Sequence, residues 1–158
     1  MTNRAEIKAD IIPYTDEYGE YIRKWIDSEE TYRFVCRGSD FPPPENIVKT
    51  WQRDSVKSYL LIDHGKPVAY GELWLRKDEL AYEIGHILVE PYSRSKGYGT
   101  KLIMLLFERA STRADIAKVV IKLFQENPIA LGCCMKAGFE LTGTTNYTTG
   151  LRMVKFVT

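Results

Sequence analysis

Runs of apolar residues, bounded by polar and turn-forming ones, predict β-strands through much of the chain. Two runs, 58–63 and 67–75, flank a short polar turn that contains Gly65, an arrangement typical of an antiparallel hairpin. The same pattern predicts further strands over 7–13, 80–89, 118–124, 139–142 and 151–157. The chain is therefore expected to be built on a sheet.

In four other segments, apolar residues recur every three or four positions, which predicts helices. The segments are 16–28, 45–53, 100–112 and one that begins at Pro128. Asn127 is a suitable N-cap for the last helix, Pro128 fits its first position, and Gly138 favours a left-handed end. A hairpin followed by strand–helix–strand–helix units predicts a mixed α/β sheet of the α+β class, folded as a single domain over 1–158.

The composition is that of an ordinary globular protein, with 44% hydrophobic residues, 27% charged residues and a formal net charge of +1. No apolar run approaches the roughly 20 residues of a membrane span, and the segment 1–10 lacks the apolar core of a signal peptide. Three cysteines without a C-x-x-C pair, and only two histidines, indicate neither a disulfide framework nor a metal centre. We therefore expect a cytoplasmic protein that binds no metal, membrane or nucleic acid.

Charge is distributed unevenly along the chain. Residues 1–54 carry a net charge of −3, whereas residues 94–122 alone carry +5. The basic segment indicates an anionic ligand, and a solvated basic helix face is the alternative.

The segment Arg94-Ser-Lys-Gly-Tyr-Gly-Thr100 lies between a predicted strand and a predicted helix. Glycine permits a tight turn and a close approach of the backbone to a ligand, and the first amides of the helix would point at an anion. Arg94 and Lys96 would add positive charge. The segment therefore predicts a phosphate cradle that is not a P-loop; a glycine-rich turn without a ligand is the alternative.

Two blocks in this order resemble a known family. Arg94-x-x-Gly97-x-Gly99, after the strand Glu83–Pro91, resembles the acetyl-CoA-binding motif of the GNAT superfamily of N-acetyltransferases. Asn127-x-x-Ala130, continuing through Lys136-Ala-Gly-Phe139, resembles the later helix of that family. The resemblance covers roughly residues 58–145, and the N-terminal third agrees only in the order of its elements.

The resemblance implies a GNAT-like, mostly antiparallel sheet of six or seven strands with about four helices, splayed between the strands at 80–89 and 118–124. It also implies acetyl-CoA as the cosubstrate, with its pantetheine arm in the splay and its pyrophosphate on the loop amides. The residues it assigns to this cosubstrate are Ile87, Leu88, Val89, Arg94, Ser95, Lys96, Gly97, Tyr98, Gly99, Thr100 and Asn127.

Acetyl transfer to an amine needs a group that accepts a proton. The resemblance makes Glu83 the first candidate, because it lies eleven residues before Arg94 as the catalytic glutamate does in one branch of the family. Gly85 would leave room beside it, and a paired structural glutamate is the alternative. Glu72 is the second candidate. His86 is a third, although strand alternation places it on the opposite face from Glu83.

Cys134 stands where many family members have a tyrosine that protonates the leaving thiolate. A thiol can donate a proton, and a small buried residue is the alternative. Tyr147 could replace the tyrosine from the final loop, and Cys133 with Cys134 also raises a covalent acyl-cysteine route. Gly132 inside a helix suggests that another group approaches closely there, although plain helix packing explains it equally well.

The acceptor is the least constrained part of the prediction. The N-terminal third is acidic and aromatic, which suits a cationic amine. Its residues in question are Asp16, Glu17, Glu20, Asp27, Glu29, Glu30, Tyr32, Phe34, Asp40 and Phe41. The leading hypothesis is an N-acetyltransferase that acts on a small cationic primary amine. A protein N-terminal or lysine acetyltransferase and a non-catalytic acyl-CoA-sensing module are the alternatives, and the resemblance leaves room for a homodimer.

Overall fold

A computed structural model describes residues 7–144 and 150–158 and shows seven strands and five α-helices in these residues. In chain order they are β1 (Asp10–Pro13), α1 (Gly19–Arg23), α2 (Glu29–Cys36), α3 (Ile47–Thr50), β2 (Val56–Asp63), β3 (Lys66–Arg76), β4 (Ala81–Val89), α4 (Tyr98–Ser111), β5 (Lys118–Phe124), α5 (Pro128–Lys136), β6 (Glu140–Thr144) and β7 (Gly150–Phe156). No helix in the described residues is both long enough and apolar enough to cross a membrane.

The seven strands form one sheet in the order β1-β2-β3-β4-β5-β7-β6. Every neighbouring pair is antiparallel except β4 and β5, which are parallel. The predicted α+β class and the predicted number of strands are confirmed. A parallel pair needs a long connection between its strands, and α4 provides it.

The sheet is split between β4 and β5. These strands pair from Ala81 with Lys118 as far as Ile84 with Ile121, and the pairing ends there. The later residues of β4 and β5 diverge, which leaves a gap that opens toward the carboxyl ends of both strands. The predicted splay is confirmed.

A β-bulge interrupts β4 where the gap begins. Glu72 of β3 pairs with Gly85 and Tyr70 pairs with Leu88, so His86 and Ile87 together face the single residue Gly71. His86 has a positive φ of 49°. The inserted residue changes the alternation, and the His86 ring contacts Glu72 and Trp74 on the face that also carries Glu83. The prediction that His86 and Glu83 lie on opposite faces is therefore wrong.

Each face of the sheet has its own core. On one face, α4 and α5 cover a large cluster that includes Leu73, Ile84 and Leu106. On the other face, α1, α2 and α3 cover a smaller cluster that includes Trp25 and Tyr70. The cradle segment belongs to the first layer and the acidic N-terminal third to the second.

The helix predicted over 16–28 is wrong in its second half. A 3₁₀ turn over Asp16–Tyr18 precedes α1, which ends at Arg23. Ser28 is extended and its hydroxyl accepts the Thr31 amide at 3.0 Å, so it caps a separate helix, α2, that the pattern did not predict. The helix predicted over 45–53 is reduced to the four residues of α3.

Candidate active site

The cradle segment follows β4 after a 3₁₀ turn over Pro91–Ser93 and runs into the first turn of α4. Gly97 is the N-cap of α4 with a φ of 90°, and Ser95 also has a positive φ of 63°. No side chain of the described residues caps the helix at Gly97. The amides of its first turn, which include Gly99 and Thr100, are therefore without a capping acceptor and are suited to an anion.

Arg94 is bound within the protein rather than extended over the cradle. Its terminal nitrogens donate to both carboxylate oxygens of Asp27 at 3.2 Å and to the Trp25 carbonyl at 3.1 Å. Its Nε donates to the Val89 carbonyl at 3.3 Å. Lys96, by contrast, is exposed in the loop.

Tyr98 anchors the start of α4 to the hairpin, because its hydroxyl donates to the Asp63 carboxylate. That hydrogen bond raises the pKa of Tyr98, so the phenol stays protonated and keeps its donor. The first turn of α4 is therefore held at a fixed position beside the end of β2.

The backbone of β4 lines one side of the gap. The Glu90 amide donates to the Val68 carbonyl of β3 at 2.9 Å, so the neighbouring N–H and C=O groups of Val89 point away from β3. Leu88 and Val89 keep a regular register with β3, so alternation after the bulge orients the groups of Ile87 away from β3 as well. The side chain of Leu88 packs in the cluster covered by α1, α2 and α3.

Asn127 lies on the other side of the gap, just beyond β5. Its side-chain oxygen accepts the Ala130 amide at 3.2 Å and caps α5, so the predicted cap is confirmed. Gly132 of α5 has nothing within 4 Å of the place a Cβ would occupy, as far as the described residues go. Helix packing therefore does not require a glycine there.

Glu72 is fully buried on the face covered by α1, α2 and α3. One carboxylate oxygen, Oε1, accepts the Trp74 indole N–H at 2.7 Å and lies 2.8 Å from Nδ1 of His86. The other oxygen accepts the hydroxyl of Tyr70. Burial, and then the charge of Glu72, raise the pKa of Tyr70, which keeps this donor protonated.

The network continues behind Tyr70. Gln52 donates to the Tyr70 hydroxyl at 2.9 Å and to the Val48 carbonyl at 3.0 Å, and it accepts the Ser58 hydroxyl at 2.7 Å. The Tyr70 hydroxyl is thus held from behind by Gln52, which helps to fix the orientation of the Glu72 carboxylate.

Two tryptophans hold the ring of His86. Trp51 stacks on it with centroids 4.2 Å apart and an interplanar angle of 29°, and Trp74 meets it edge-on at 5.0 Å. The His86 side chain is 16% exposed. Sequence reasoning did not find this arrangement, because the bulge that brings His86 to Glu72 has no recognisable sequence signature.

Glu83, the first candidate for the proton acceptor, is 6% exposed and ion-paired. Arg76 and Lys122 lie 3.2 and 3.4 Å from its Oε1. The space expected beside Gly85 is filled, because a Cβ there would lie 2.3 Å from the Trp74 ring. The structure therefore brings Glu83 and Glu72 to one face but gives them different partners.

Cys134 is 1% exposed and lies in the core under α4 and α5. Burial raises its pKa to about 12, so the thiol stays protonated. Cys133 is half-buried and its sulfur would lie 3.3 Å from a Cβ on Gly99, which places it against the first turn of α4. Tyr147 lies outside the described residues.

The acidic and aromatic residues of the N-terminal third are dispersed. Asp27 is bonded to Arg94, Glu20 to Arg23 at 3.2 Å, and Tyr32 is buried. Helix α2 instead reaches across the mouth of the gap. It does so through an ion pair of Arg33 with Glu126 at 3.0 Å and through Phe34 packed on Phe124 with centroids 5.7 Å apart.

The family model described as "Acetyltransferase (GNAT) family" matches residues 14–139. The aminoglycoside N(6′)-acetyltransferase type 1 of Klebsiella pneumoniae is 29% identical over 103 residues, which cover 58% of this chain and 51% of the relative. The chain thus spans about half the length of that relative. The human alpha/beta-tubulin-N-acetyltransferase 9 is 25% identical over 156 residues, which cover 88% of this chain and 75% of the relative.

Solved structures share the fold at low identity. An aminoglycoside acetyltransferase in complex with coenzyme A and kanamycin has a TM-score of 0.78 at 20% identity, covering 94% of this chain and 95% of its own. The Vibrio cholerae spermidine N-acetyltransferase in complex with CoA and spermine has a TM-score of 0.79 at 14% identity, covering 95% and 96%. The sheet and its layers are therefore those of acetyltransferases.

Proposed function

Because the chain belongs to the acetyltransferase (GNAT) family, we propose that it transfers the acetyl group of acetyl-CoA to a primary amine by direct attack in a ternary complex. The observation that carries the proposal is the gap between β4 and β5, with the uncapped first turn of α4 at its open end. Acetyl-CoA has an extended pantetheine arm with a pyrophosphate at one end. This shape matches a gap lined by backbone polar groups that ends at the uncapped helix turn, an anion site.

The cosubstrate would be held mainly by backbone groups. The outward-pointing groups of Ile87 and Val89 would bond the pantetheine amides from one side, and Asn127 would flank the arm from the other. The pyrophosphate would sit on the amides from Ser95 to Thr100, with Lys96 beside them. Since Arg94 is bonded to Asp27, its part would be to hold the loop in shape.

Acetyl transfer needs an oxyanion donor and a proton acceptor. The Ile87 amide would polarise the thioester carbonyl, because alternation orients it away from β3 next to the bulge. Glu83 and Glu72 are the candidate carboxylates, and strand pairing places Glu72 opposite Gly85 and Glu83 opposite Trp74, beside the bulge. A CoA thiolate can leave without an acid, and the buried thiol of Cys134 is suited to packing rather than to proton donation.

The acceptor would be a small cationic amine. The rings of Trp51, Trp74 and His86 converge beside Glu72, and aromatic faces next to a carboxylate attract a cation. Kanamycin and spermine, which are present in the two similar structures, are amines of this kind. A protein amine is the second candidate, because the tubulin acetyltransferase is similar over more of this chain than the aminoglycoside enzyme is.

The decisive experiment measures release of CoA thiol from acetyl-CoA with polyamines, aminoglycosides, amino acids and lysine or N-terminal peptides as acceptors. Release above background hydrolysis with one class supports the proposal and identifies the acceptor. If acetyl-CoA binds but no acceptor accelerates release, the acyl-CoA-sensing alternative gains support.

The cradle is tested by Gly97→Glu, which is expected to abolish acetyl-CoA binding in calorimetry because a carboxylate would replace the pyrophosphate. Gly138→Glu is the matched control, since Gly138 has a similar φ of 93° and lies beside Lys155, at the far end of α5. Normal affinity for acetyl-CoA in a folded Gly97→Glu variant would show that the pyrophosphate does not bind at this loop.

A further inference from the structure

We infer that His86 accepts the proton of the acceptor amine and that buried Glu72 positions its ring for this role. The inference rests on the proposed acetyl transfer and assigns its proton acceptor to a histidine instead of to Glu83. It follows from the bulge, from the bonding around Glu72 and from the two tryptophans on the ring.

The bulge sets the position of His86. His86 immediately precedes Ile87, whose amide alternation orients away from β3, and the bulge turns the His86 side chain onto the face that carries Glu72, Trp51 and Trp74. The His86 side chain therefore lies one residue before the Ile87 amide, which would polarise the thioester carbonyl. An amine that attacks the carbonyl from this face would pass the His86 ring.

The bonding around Glu72 decides which nitrogen of His86 carries the proton. Glu72 receives the Trp74 N–H, which can only donate, and the Tyr70 hydroxyl, which stays protonated. A carboxylate that accepts both bonds is an acceptor toward His86 as well, so Nδ1 of the ring holds its hydrogen and donates it. In the neutral ring Nε2 then keeps its lone pair, and none of the described residues bonds to it.

The surroundings of His86 fix the ring without supplying a competing base. Trp51 stacks on one face of the His86 ring and Trp74 meets the ring edge-on, and these two contacts restrict its rotation. The titratable side chains that interact with Glu72 beside it include Tyr70 of β3, Tyr14 after β1 and Cys36 of α2. The pKa of each is raised mainly by burial, and the charge of Glu72 adds to the shift. Glu83 on the same face is engaged by Arg76 and Lys122.

The reaction balances with these groups. The amine nitrogen forms a bond to the acetyl carbon, the carbon–sulfur bond breaks, and the electron pair leaves with the sulfur of CoA. One proton passes from the amine nitrogen to Nε2 of His86, and the resulting imidazolium faces the Glu72 carboxylate. The proton then passes to the CoA thiolate or to water, which restores the neutral ring.

The first test reads the proton on the ring and needs no acceptor. In ¹⁵N-labelled protein, long-range ¹H–¹⁵N correlations are expected to show His86 with a hydrogen on Nδ1 and none on Nε2 near neutral pH. His64 is the only other histidine of the chain and its side chain is 93% exposed, so its signals provide an internal control for a ring that no buried carboxylate orients. A hydrogen held on Nε2, in a neutral or a doubly protonated ring, overturns the inference.

The second test uses the best acceptor of the panel described above. His86→Gln is expected to lower kcat by about 100-fold, the usual scale for a lost general base, with acetyl-CoA affinity unchanged. Glu72→Gln is expected to lower kcat and to shift the acidic limb of the pH–rate profile, because it removes the charge that faces the imidazolium. In the spectra the hydrogen is expected to stay on Nδ1, since the amide oxygen that accepts the Trp74 N–H also faces His86. His64→Gln is the matched control and is expected to behave as the wild type does.

Rescue separates catalysis from structure. His86→Ala leaves a ring-sized space between Trp51 and Trp74, so added imidazole is expected to restore part of kcat. An unchanged pH profile in His86→Gln, or a larger loss in Glu83→Gln than in His86→Gln, overturns the inference. If no acceptor is acetylated, the proposed function fails, while the tautomer of His86 still decides whether the ring can accept a proton.

Discussion

Arg94 and Asp27 join two parts of the molecule that are 67 residues apart in the chain, with both carboxylate oxygens 3.2 Å from one guanidinium nitrogen. The same guanidinium donates to the carbonyls of Trp25 and Val89. The end of β4 is thereby bound to the turn that precedes α2. The Arg94–Asp27 ion pair therefore connects the loop that would hold the phosphates to the segment that leads into α2, the helix at the mouth of the gap.

This relationship predicts unequal effects of removing its two members. Asp27→Asn is expected to cost only about 0.2–1 kcal/mol, because both side chains are more than a third exposed and water screens the pair. Arg94→Ala also breaks the bonds to two carbonyls and is expected to cost about 1–3 kcal/mol. Urea unfolding measures both, and Arg113→Ala, which removes another exposed ion pair, is the control. Equal losses in the two variants would contradict this view of Arg94.

Gly85 and Gly132 predict opposite outcomes for the same substitution. Gly85→Ala places a methyl group 2.3 Å from the Trp74 ring and is expected to destabilise the protein by about 1–3 kcal/mol, with Trp74 displaced from Glu72. Gly132→Ala points into open space within a helix and is expected to stabilise the protein by about 0.5–1 kcal/mol. Thermal unfolding without ligand tests the pair. A stable Gly85→Ala protein would show that Trp74 moves freely.

Cys134 predicts a loss of stability at alkaline pH. Burial raises its pKa from 9.0 to about 12, so between these values the unfolded chain loses a proton that the folded chain keeps. This contribution to stability is complete below pH 9 and disappears as the pH rises toward 12. Cys134→Ala is expected to show a flatter decline in the free energy of unfolding over this range, and Cys133→Ala serves as the matched control. A decline identical to that of the wild type would mean that other groups dominate.

Tyr14 and Tyr70 pack edge to face with centroids 5.6 Å apart, yet only one of their hydroxyls is well bonded. The Tyr14 hydroxyl is buried without a hydrogen-bond partner among the described residues, so Tyr14→Phe is expected to change stability by less than about 1 kcal/mol. Tyr70→Phe removes a donor from buried Glu72 and is expected to cost about 1–3 kcal/mol. Chemical denaturation compares them, and a larger cost at Tyr14 would contradict the bonding described.

Acetyl-CoA is expected to raise the Tm in a concentration-dependent manner, because a ligand that binds only the folded chain stabilises it by mass action. At 100 times its Kd the gain is about 2.7 kcal/mol. Differential scanning fluorimetry measures the shift, and the Gly97→Glu variant is expected to lack it. A shift of equal size in that variant would place the ligand elsewhere.

Much of the fold follows from local pattern. The hairpin, β5 and α4 lie within two or three residues of their predicted bounds, because long amphipathic or apolar runs leave little choice of structure. Helix α2 was missed since its apolar residues lie close to those of α1, and only the cap at Ser28 separates the two helices. The splay between β4 and β5 was implied by the family resemblance and not by periodicity.

The candidate site was less accessible to sequence reasoning. The cradle and the Asn127 cap depend on short-range backbone geometry, which residue type and spacing reveal. The partners of Glu72 come from β3, from β4 and from the end of α3, and a one-residue bulge brings them together. Alternation along a regular strand cannot anticipate such an insertion, so His86 was placed on the wrong face.

The gap between β4 and β5 gives this sheet internal edges in addition to its two outer ones. From Gly85 onward in β4 and from Lys122 onward in β5, the backbone groups that face the gap have no neighbouring strand to pair with. Exposed edges of this kind favour pairing with any extended chain, including that of another molecule. The pantetheine arm, which carries two amides in an extended chain, would occupy the place of a missing strand. Bound acetyl-CoA would then cover these edges and keep them from pairing with another chain.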